Sequence, residues 1–571
     1  MHVFGEYMRF NEIENRNQLA DFLKIERSSL SYVLYILRPE MKYRCFSIPK
    51  KDGSMRCIES PVESLKFIQH RLASEIYRYY DEECRLHGIN RKVANAFEKG
   101  KGIYTNASIH RNKKYVFCFD IEDFFPSFNF GRVLNYFQKN ALFGMNYDVS
   151  VCIAQLVCNN GVLPQGAPTS PLISNLIFQI VDSHVLKVAK KYSLAYSRYA
   201  DDLTFSTNRR EFIDEKDEFA KELEVQIRKD GFKLNTKKTR FSRSDSKQRV
   251  TGLVVNKRVS VDGKYYKNLR ATLHRLYCTG KILVEGAEVD PNLQVLEGKL
   301  EFINEIEKRN NTQPQYNAIG EKVKHDYKHL NKRENEKKRF LFYKYFIANK
   351  KPVIITEGKT DALYIKAALK KLYKSYPSLI IKNGNNFIFN VSFFKRKEIF
   401  KYFWNVSTDG ADSMSNMYNN CFSDKGIAQY FAKFGCLPQF TVIMLFDNET
   451  VDKNKPLAKF IGIESVKSRL DKKEFDKKLY QKLDCSFKRL YLSTIPLVKD
   501  KREAEIEDLF DDVTLAIKID GRSFGRNKSG NNSYYNKNVF SKYVYEHYEQ
   551  INFDGFKPLL SVLDFICSLP N

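Results

Sequence analysis

A chain of 571 residues is too long for one compact core, and its 43% hydrophobic and 14% aromatic residues supply material for about two to four domains. Its 95 Lys and Arg outnumber 68 Asp and Glu, a formal net charge of +27 that points toward a polyanionic partner, most often nucleic acid, with a merely soluble basic protein as the alternative. The 11 cysteines never take C-x-x-C spacing, residues 1–17 lack a basic segment before an apolar core, and no 18-residue apolar run occurs. A zinc module, a secretory signal and a membrane span are therefore not expected, and a reduced cytoplasm is.

Residues 46–56, FSIPKKDGSMR, predict a basic hairpin suited to a triphosphate. Residues 115–126, YVFCFDIEDFFP, begin as an apolar strand whose end delivers Asp120. Residues 161–175, GVLPQGAPTSPLISN, form a Pro/Gly-rich turn leading into an apolar helix, suited to close backbone approach to a nucleotide and template. In SRYADDLTFS, residues 197–206, period-two alternation predicts a hairpin with Asp201 and Asp202 at its tip. If this hairpin lies beside the Asp120 strand, three carboxylates converge, and like charges raise one another's pKa. Two divalent ions about 3.5 to 4 Å apart resolve that conflict and stabilise an in-line phosphoryl displacement; Mg²⁺ prefers such oxygen ligands.

A helix is expected over residues 211–230, where Phe219, Leu223 and Ile227 recur every four residues before Gly231. Residues 256–281 alternate Lys and Arg with Tyr and Leu, so basic groups can neutralise phosphates while aromatic faces stack on unpaired bases. Residues 305–351 are charged with few apolar anchors and predict a linker or exposed helical connector. After them the pattern restarts with a buried strand at 352–356, a helix at 361–372 and a strand at 441–446, a strand and helix alternation that indicates a separate α/β domain. Residues 521–538, rich in Gly, Asn, Ser and Lys, predict a loop, and residues 552–560 structural packing.

Taken together, the acid strand, the P-Q-G turn and the Y-A-D-D hairpin resemble the reverse transcriptases, in the family's order. Asn106-Ala-Ser-Ile-His110 and Val250-Thr251-Gly252 resemble the N-A-x-x-H and V-T-G elements of the retron group, over residues 25–310. The resemblance implies an α+β right-hand polymerase, with fingers and palm over about 25–250 and a thumb over 251–310. It implies that Asp120, Asp201 and Asp202, with Ile121 beside the first, hold two Mg²⁺ ions. Lys50 and Arg56 would grip the incoming dNTP, as point charge and planar fork. Gln165 and Gly166 would shape the nucleotide pocket, and the bulk of Phe125 would exclude a ribose 2′-hydroxyl. Lys238 would protonate the leaving pyrophosphate, with Lys237 beside it as the alternative. Asn106, His110, Val250, Thr251, Gly252, Lys267, Arg270 and Arg275 would contact RNA. The implied partner is a cognate structured noncoding RNA whose internal guanosine 2′-hydroxyl primes synthesis, and the product a branched RNA-linked single-stranded DNA.

A second set of acids follows. Glu357 stands at a strand end and Asp361 one helical turn on, while Asp447 and Glu449 end the strand at 441–446. Acids at the carboxyl ends of adjacent parallel strands are where α/β folds build sites. This pattern resembles a Toprim domain over residues 352–571, with a mostly parallel sheet, after a charged linker at 311–351. The usual D-x-D stands here as Asp447-Asn-Glu449, one methylene longer at the third acid. Glu505 and Glu507 could complete a second site, so one or two Mg²⁺, or Mn²⁺, are expected there. The cysteine spacing argues against a primase, and the remaining length against a topoisomerase. The resemblance therefore implies a nuclease effector in anti-phage defence, with Glu357 assisting proton transfer and a nucleic-acid substrate. A non-catalytic binding or assembly module, and a polymerase of group II intron type, are the alternatives; a homo-oligomer is compatible with either.

Overall fold

In the computed structural model, which describes residues 8–49, 53–89, 93–312, 326–408, 412–498, 501–526 and 533–569, the chain folds as two compact units, Met1–Asp262 and Gly263–Asn571. Lys50 lies outside the described residues. In the first unit, Tyr43–Pro49 (β1) and Met55–Pro61 (β2) form the basic antiparallel hairpin, with Ile48 opposite Arg56. The long helix Glu63–Leu86 follows and buries Leu65, Ile68, Leu72 and Ile76, one residue per turn.

Strands Tyr115–Asp120 (β3), Ala195–Tyr199 (β4), Asp202–Thr207 (β5) and Arg240–Arg243 (β6) make a fully antiparallel sheet in the order β4-β5-β3-β6. Because successive side chains alternate across a strand, one face carries Phe117, Phe119, Leu203 and Phe205. Helix Phe212–Lys229 covers it, and Phe219 meets the rings of Phe117, Phe119 and Phe205 at 6.1, 6.1 and 4.9 Å; each such pair contributes about 0.5–1.5 kcal/mol beyond its area. The opposite face carries Cys118, Asp120, Asp202, Thr204 and Ser206. Helix Ser170–Lys191 is long and apolar enough to cross a membrane, yet 67% of its most apolar window is buried in the unit. Arg249–Val250 (β7) and Leu253–Val254 (β8) close a hairpin over Thr251 and Gly252, both with positive φ (46° and 82°), which suits a type I′ turn.

The second unit opens with helix Gly263–Thr279, the hairpin Ile282–Val284 (β9) and Ala287–Val289 (β10), and helix Leu293–Asn311. Strands Val353–Ile355 (β11), Ser392–Phe393 (β14), Val442–Phe446 (β15), Tyr480–Leu483 (β16) and Leu490–Thr494 (β17) form a sheet in the order β14-β11-β15-β17-β16; Ile380–Asn383 (β12) and Asn386–Phe389 (β13) pair apart from it. Four of its strands run parallel and β16 is antiparallel. Helices Asp361–Lys371, Lys537–Glu546 and Lys557–Ser568 bury Ile365, Phe540 and Leu560 together with Ile354 and Ile443 of the sheet.

Two boundaries differ from expectation. Helix Lys332–Phe342 lies within the expected linker, begun by an Asn331–Glu334 capping box and anchored by buried Phe340, Leu341 and Phe342. The expected polymerase–linker boundary at residue 310 falls inside the second unit, because Tyr277, 1% exposed, packs its ring 5.3 Å from Tyr343 and 5.1 Å from Phe431. In the expected loop at 521–538, Ser523–Phe524 and Tyr534–Tyr535 pair as short strands. In the first unit, Gly166 has φ 134°, and a Cβ there would stand 2.7 Å from the Glu59 carbonyl oxygen and 2.9 Å from Ile58 Cγ2 of β2. Gly166→Ala should push β2 away and destabilise the first unit by about 1–3 kcal/mol, measured by urea unfolding followed with hydrogen exchange at β2.

Candidate active site

Register places the first carboxylates. Asp120 pairs directly with Asp202 across β3 and β5, and Tyr199 pairs with Asp202 across β4 and β5, leaving Ala200 and Asp201 as a two-residue turn. The Asp201 carbonyl accepts the Ile121 N–H at 3.0 Å, so the turn is stitched to the end of β3. Burial, then Asp201 and Asp120, push Asp202 up to about 6; burial, then Asp120, also raise Asp201. Lys238 answers this charge, its Nζ 2.9 and 3.1 Å from the two Asp120 oxygens, and that hydrogen bond raises its own pKa. Lys237, Lys238 and Arg240 line a cleft of about 250 Å³ with Asp120 and Asp202. Ile121, by contrast, is buried and apolar; only its main chain could face a cation, so the expectation of a ligand there does not extend to its side chain.

A buried cation orients the turn from behind. Arg198 is wholly buried; its Nε and Nη2 donate to Asp182 at 3.0 and 2.8 Å, and its Nη1 donates to Asn175 Oδ1 at 3.0 Å and to the Ala200 carbonyl at 3.3 Å. Ala200 sits at φ 56°, a left-handed conformation disfavoured for a residue with a Cβ, and Arg198 holds its carbonyl there. The expected dNTP residues arrive from other elements. Arg56 on β2 is exposed, and its charge, after that of Lys238, partly offsets the rise that burial and Asp120 impose on Asp201. The Gln165 carbonyl accepts the Glu59 N–H at 2.9 Å, joining the Pro/Gly turn to β2. Phe125 is half-buried, its ring 5.4 Å from Phe124 and 6.5 Å from exposed Phe97.

A family model described as reverse transcriptase (RNA-dependent DNA polymerase) matches residues 48–256. The Retron Ec86 reverse transcriptase of Escherichia coli is 31% identical over 283 residues, which cover 48% of this chain and 84% of that protein. The chain belongs to the retron reverse transcriptases. Two further retron reverse transcriptases, Mx65 and Mx162 of Myxococcus xanthus, are 30% and 31% identical, over 41% and 51% of this chain and 56% and 64% of their own length. The chain therefore spans less than two thirds of either. Among solved structures, an apo telomerase from Candida tropicalis aligns at 13% identity and a TM-score of 0.29 over 40% of this chain and 56% of that one, too slight a likeness to carry an inference. This retron reverse transcriptase is an RNA-directed DNA polymerase, and the group II intron alternative is set aside.

Its two retron elements lie together, with Gly252 exposed, Thr251 half-buried and the remaining expected RNA contacts of the two elements buried. Asn106 and His110, expected to contact RNA, are fully buried: His110 Nδ1 meets Ser206 Oγ and Nε2 meets Ser197 Oγ, each at 2.7 Å, and Ser197 donates to Asn106 Oδ1 at 2.7 Å. The serines belong to β4 and β5, so helix Ile103–Ile109 braces the hairpin that carries Asp201. Thr251 Oγ1 in turn donates to the Ile103 carbonyl at 3.1 Å, and Val250 is buried. Lys267 and Arg270 are exposed as expected, whereas Arg275 is half-buried and ion-paired with Glu288.

The second acids gather at the carboxyl ends of neighbouring parallel strands β11 and β15. The Asp447 N–H donates to Glu357 Oε1 at 3.1 Å, and Asp361 Oδ2 accepts the Gly358 N–H at 2.7 Å. Burial, then Asp361, push Glu357 up to about 8, and burial, then Glu357 and Asp361, raise Asp447. Glu449 is held by Lys455 at 2.5 Å, and Lys537 stands 3.1 Å from both Glu505 and Glu507. Glu507 Oε1 is buried with no hydrogen-bond partner among the described residues. No group of three His, Cys, Asp or Glu side chains is arranged to hold a metal ion among the described residues, and Asp120, Glu449 and Glu507 each pair with a lysine. The donor set itself, acidic oxygens crowded in low dielectric, is the kind a divalent cation neutralises.

His110 also sets a pH dependence. Burial holds its pKa down to about 3, so between there and the unfolded value near 6.5 the unfolded chain binds the extra proton. The His110 contribution to the stability of the first unit should fall as pH drops through that window, by up to about 1.4 kcal/mol per unit, while Asp202, raised in the folded state, contributes with the opposite sign; the stability difference between parent and His110→Asn, followed by urea unfolding, should therefore shrink from pH 7 to 5.

Proposed function

We propose that the chain copies a cognate structured noncoding RNA from an internal guanosine 2′-hydroxyl, making single-stranded DNA that stays branched from the RNA. The observation that carries this reading is the direct pairing of Asp120 with Asp202, with Asp201 on the turn beside them. Bound by these three acids, Mg²⁺ would neutralise triphosphate charge and stabilise the attacking and leaving oxygens of the in-line displacement. The chain's own groups do the rest. Arg56 and Lys50 hold the phosphates, Gln165 and Gly166 the base pocket, and Phe125 fills the space a ribose 2′-hydroxyl would need. Lys238, kept protonated at Asp120, is the proton source for the departing pyrophosphate. Asp202→Asn should cut dNTP incorporation at least about a hundredfold, since the charge stabilisation at stake is several kcal/mol and 1.36 kcal/mol is tenfold. Nucleic acid copurified with the parent should be one RNA joined to short DNA through a 2′ linkage, and with the variant RNA alone; RNA without DNA in both would sink the reading.

The C-terminal region we read as a Toprim domain acting as a metal-dependent nuclease in anti-phage defence. Acids at the ends of adjacent parallel strands support it. Glu357 would move the proton, and Asp361, Asp447, Glu449 and Glu507 would hold Mg²⁺ or Mn²⁺. The ion pair between Glu449 and Lys455 favours a second reading, a nucleic-acid-binding or assembly module without catalysis. Glu357→Gln decides between them: loss of Mg²⁺- or Mn²⁺-dependent cleavage and of phage protection is expected, and identical cleavage products in parent and variant would remove the nuclease.

A further inference from the structure

The second unit holds a cleft that neither acid site uses. It encloses about 500 Å³ and is lined by Lys267, Arg270 and His274 of helix Gly263–Thr279, by Arg339 of helix Lys332–Phe342, and by Tyr430 and Phe434. Its size falls in the range of ligand pockets, roughly 300–1,000 Å³. Lys267, Arg270 and His274 recur at i, i+3 and i+7, so one helix face presents three basic groups. Across from them the Arg339 guanidinium lies over the Tyr430 ring, 4.0 Å from its centroid. Phe434, 40% exposed, meets the His274 ring edge-on at 5.4 Å. The lining also includes an acid, Glu336, which is 5% exposed and 3.8 Å from Arg339, leaving the mouth of the cleft cationic.

Cations beside an exposed ring and a stacked guanidinium form the donor set for a chain that alternates phosphates with flat bases. A duplex would satisfy only the cations, because its bases are paired and stacked away from Phe434. We propose that this cleft binds a single-stranded stretch of nucleic acid, with phosphates at Lys267, Arg270 and Arg339 and a base stacked on Phe434. Its walls come both from the helix expected as the polymerase thumb and from residues 430–434 of the C-terminal half, so one strand engages both. The source of that strand, the template RNA or its DNA product, rests on the polymerase reading.

Fluorescence anisotropy on the full chain tests this with short labelled single strands of RNA and DNA and a blunt duplex of equal length. Phe434→Ala should weaken single-strand binding about 5- to 150-fold, the loss of one stacked base, and leave the duplex within about twofold. Arg270→Gln with Arg339→Gln should lower the salt slope by about 0.7 for each phosphate no longer neutralised. Unchanged single-strand affinity in Phe434→Ala, equal weakening on strand and duplex, or displacement of the strand by AMP at comparable concentration would each overturn the assignment. Incorporation of dTTP by the parent on oligo(dT)-primed poly(rA) separates the two readings: its absence overturns the polymerase, whereas its presence beside unchanged variant binding overturns only the cleft.

Discussion

The cluster of Asp120, Asp201 and Asp202 depends on one charged pair taken out of water, Arg198 with Asp182. Burying two ions costs several kcal/mol each unless their geometry and remaining hydrogen bonds offset the loss. Here the offset is close to complete: the guanidinium reaches both Asp182 oxygens, Asn175 and the Ala200 carbonyl, and lies over the Phe178 ring at 4.7 Å. An apolar replacement of equal volume could match that stability, but not its direction. A planar fork with fixed donors joins helix Ser170–Lys191 to β4 and to the turn, and so decides where the Asp201 carboxylate starts from. The hydroxyl and imidazole network of Asn106, Ser197, His110 and Ser206 braces the same hairpin from another side.

That rigidity matters because both acid clusters are unfavourable as they stand. In each, burial and like charge raise carboxylate pKa values, and in each lysines supply partial relief. Lysine is a compact point charge on a flexible stem, so it can neutralise an acid without fixing it and can swing away when a stronger cation binds. The first cluster sits on two antiparallel strands in direct register, the second on the ends of parallel strands reached through loops. The same electrostatic problem is thus met with different backbone precision, and Glu449, paired with Lys455, sits in the looser of the two.

What can be read from the sequence follows the same physics. Asp120, Asp201 and Asp202 interrupt period-two apolar runs, so their strands and their convergence are legible without knowledge of the register. Arg198 is not: its partner lies 16 residues away on a helix, and a buried arginine looks like a surface one. The signal is Asp182, a lone acid inside the apolar run of residues 176–188. Asn106 and His110 are expected at RNA only through the resemblance of their segment to the N-A-x-x-H element; the hydroxyls of Ser197, Thr204 and Ser206, alternating on the face opposite the phenylalanines, mark the polar interior they fill. The expected linker fails as a linker because the charge of residues 332–339 masks the aromatic run FLFYKYF that follows.

The placement of helix Gly263–Thr279 carries a mechanical consequence. Its basic face is exposed, while its other face is sunk through Leu269, Leu273, Leu276 and Tyr277. Tyr277 touches Tyr343, Tyr430 and Phe431, and Phe431 in turn stacks on Phe342 at 5.6 Å. Close-packed aromatic cores transmit displacement rather than absorb it, since any gap forfeits dispersion energy. A load placed on Lys267 or Arg270 is therefore carried to the layer formed by helix Lys332–Phe342 and residues 430–434, which belongs to the same unit as Glu357 and Asp447. Physical continuity of this kind needs no flexible linker, and the helix that would have followed such a linker is instead part of the path.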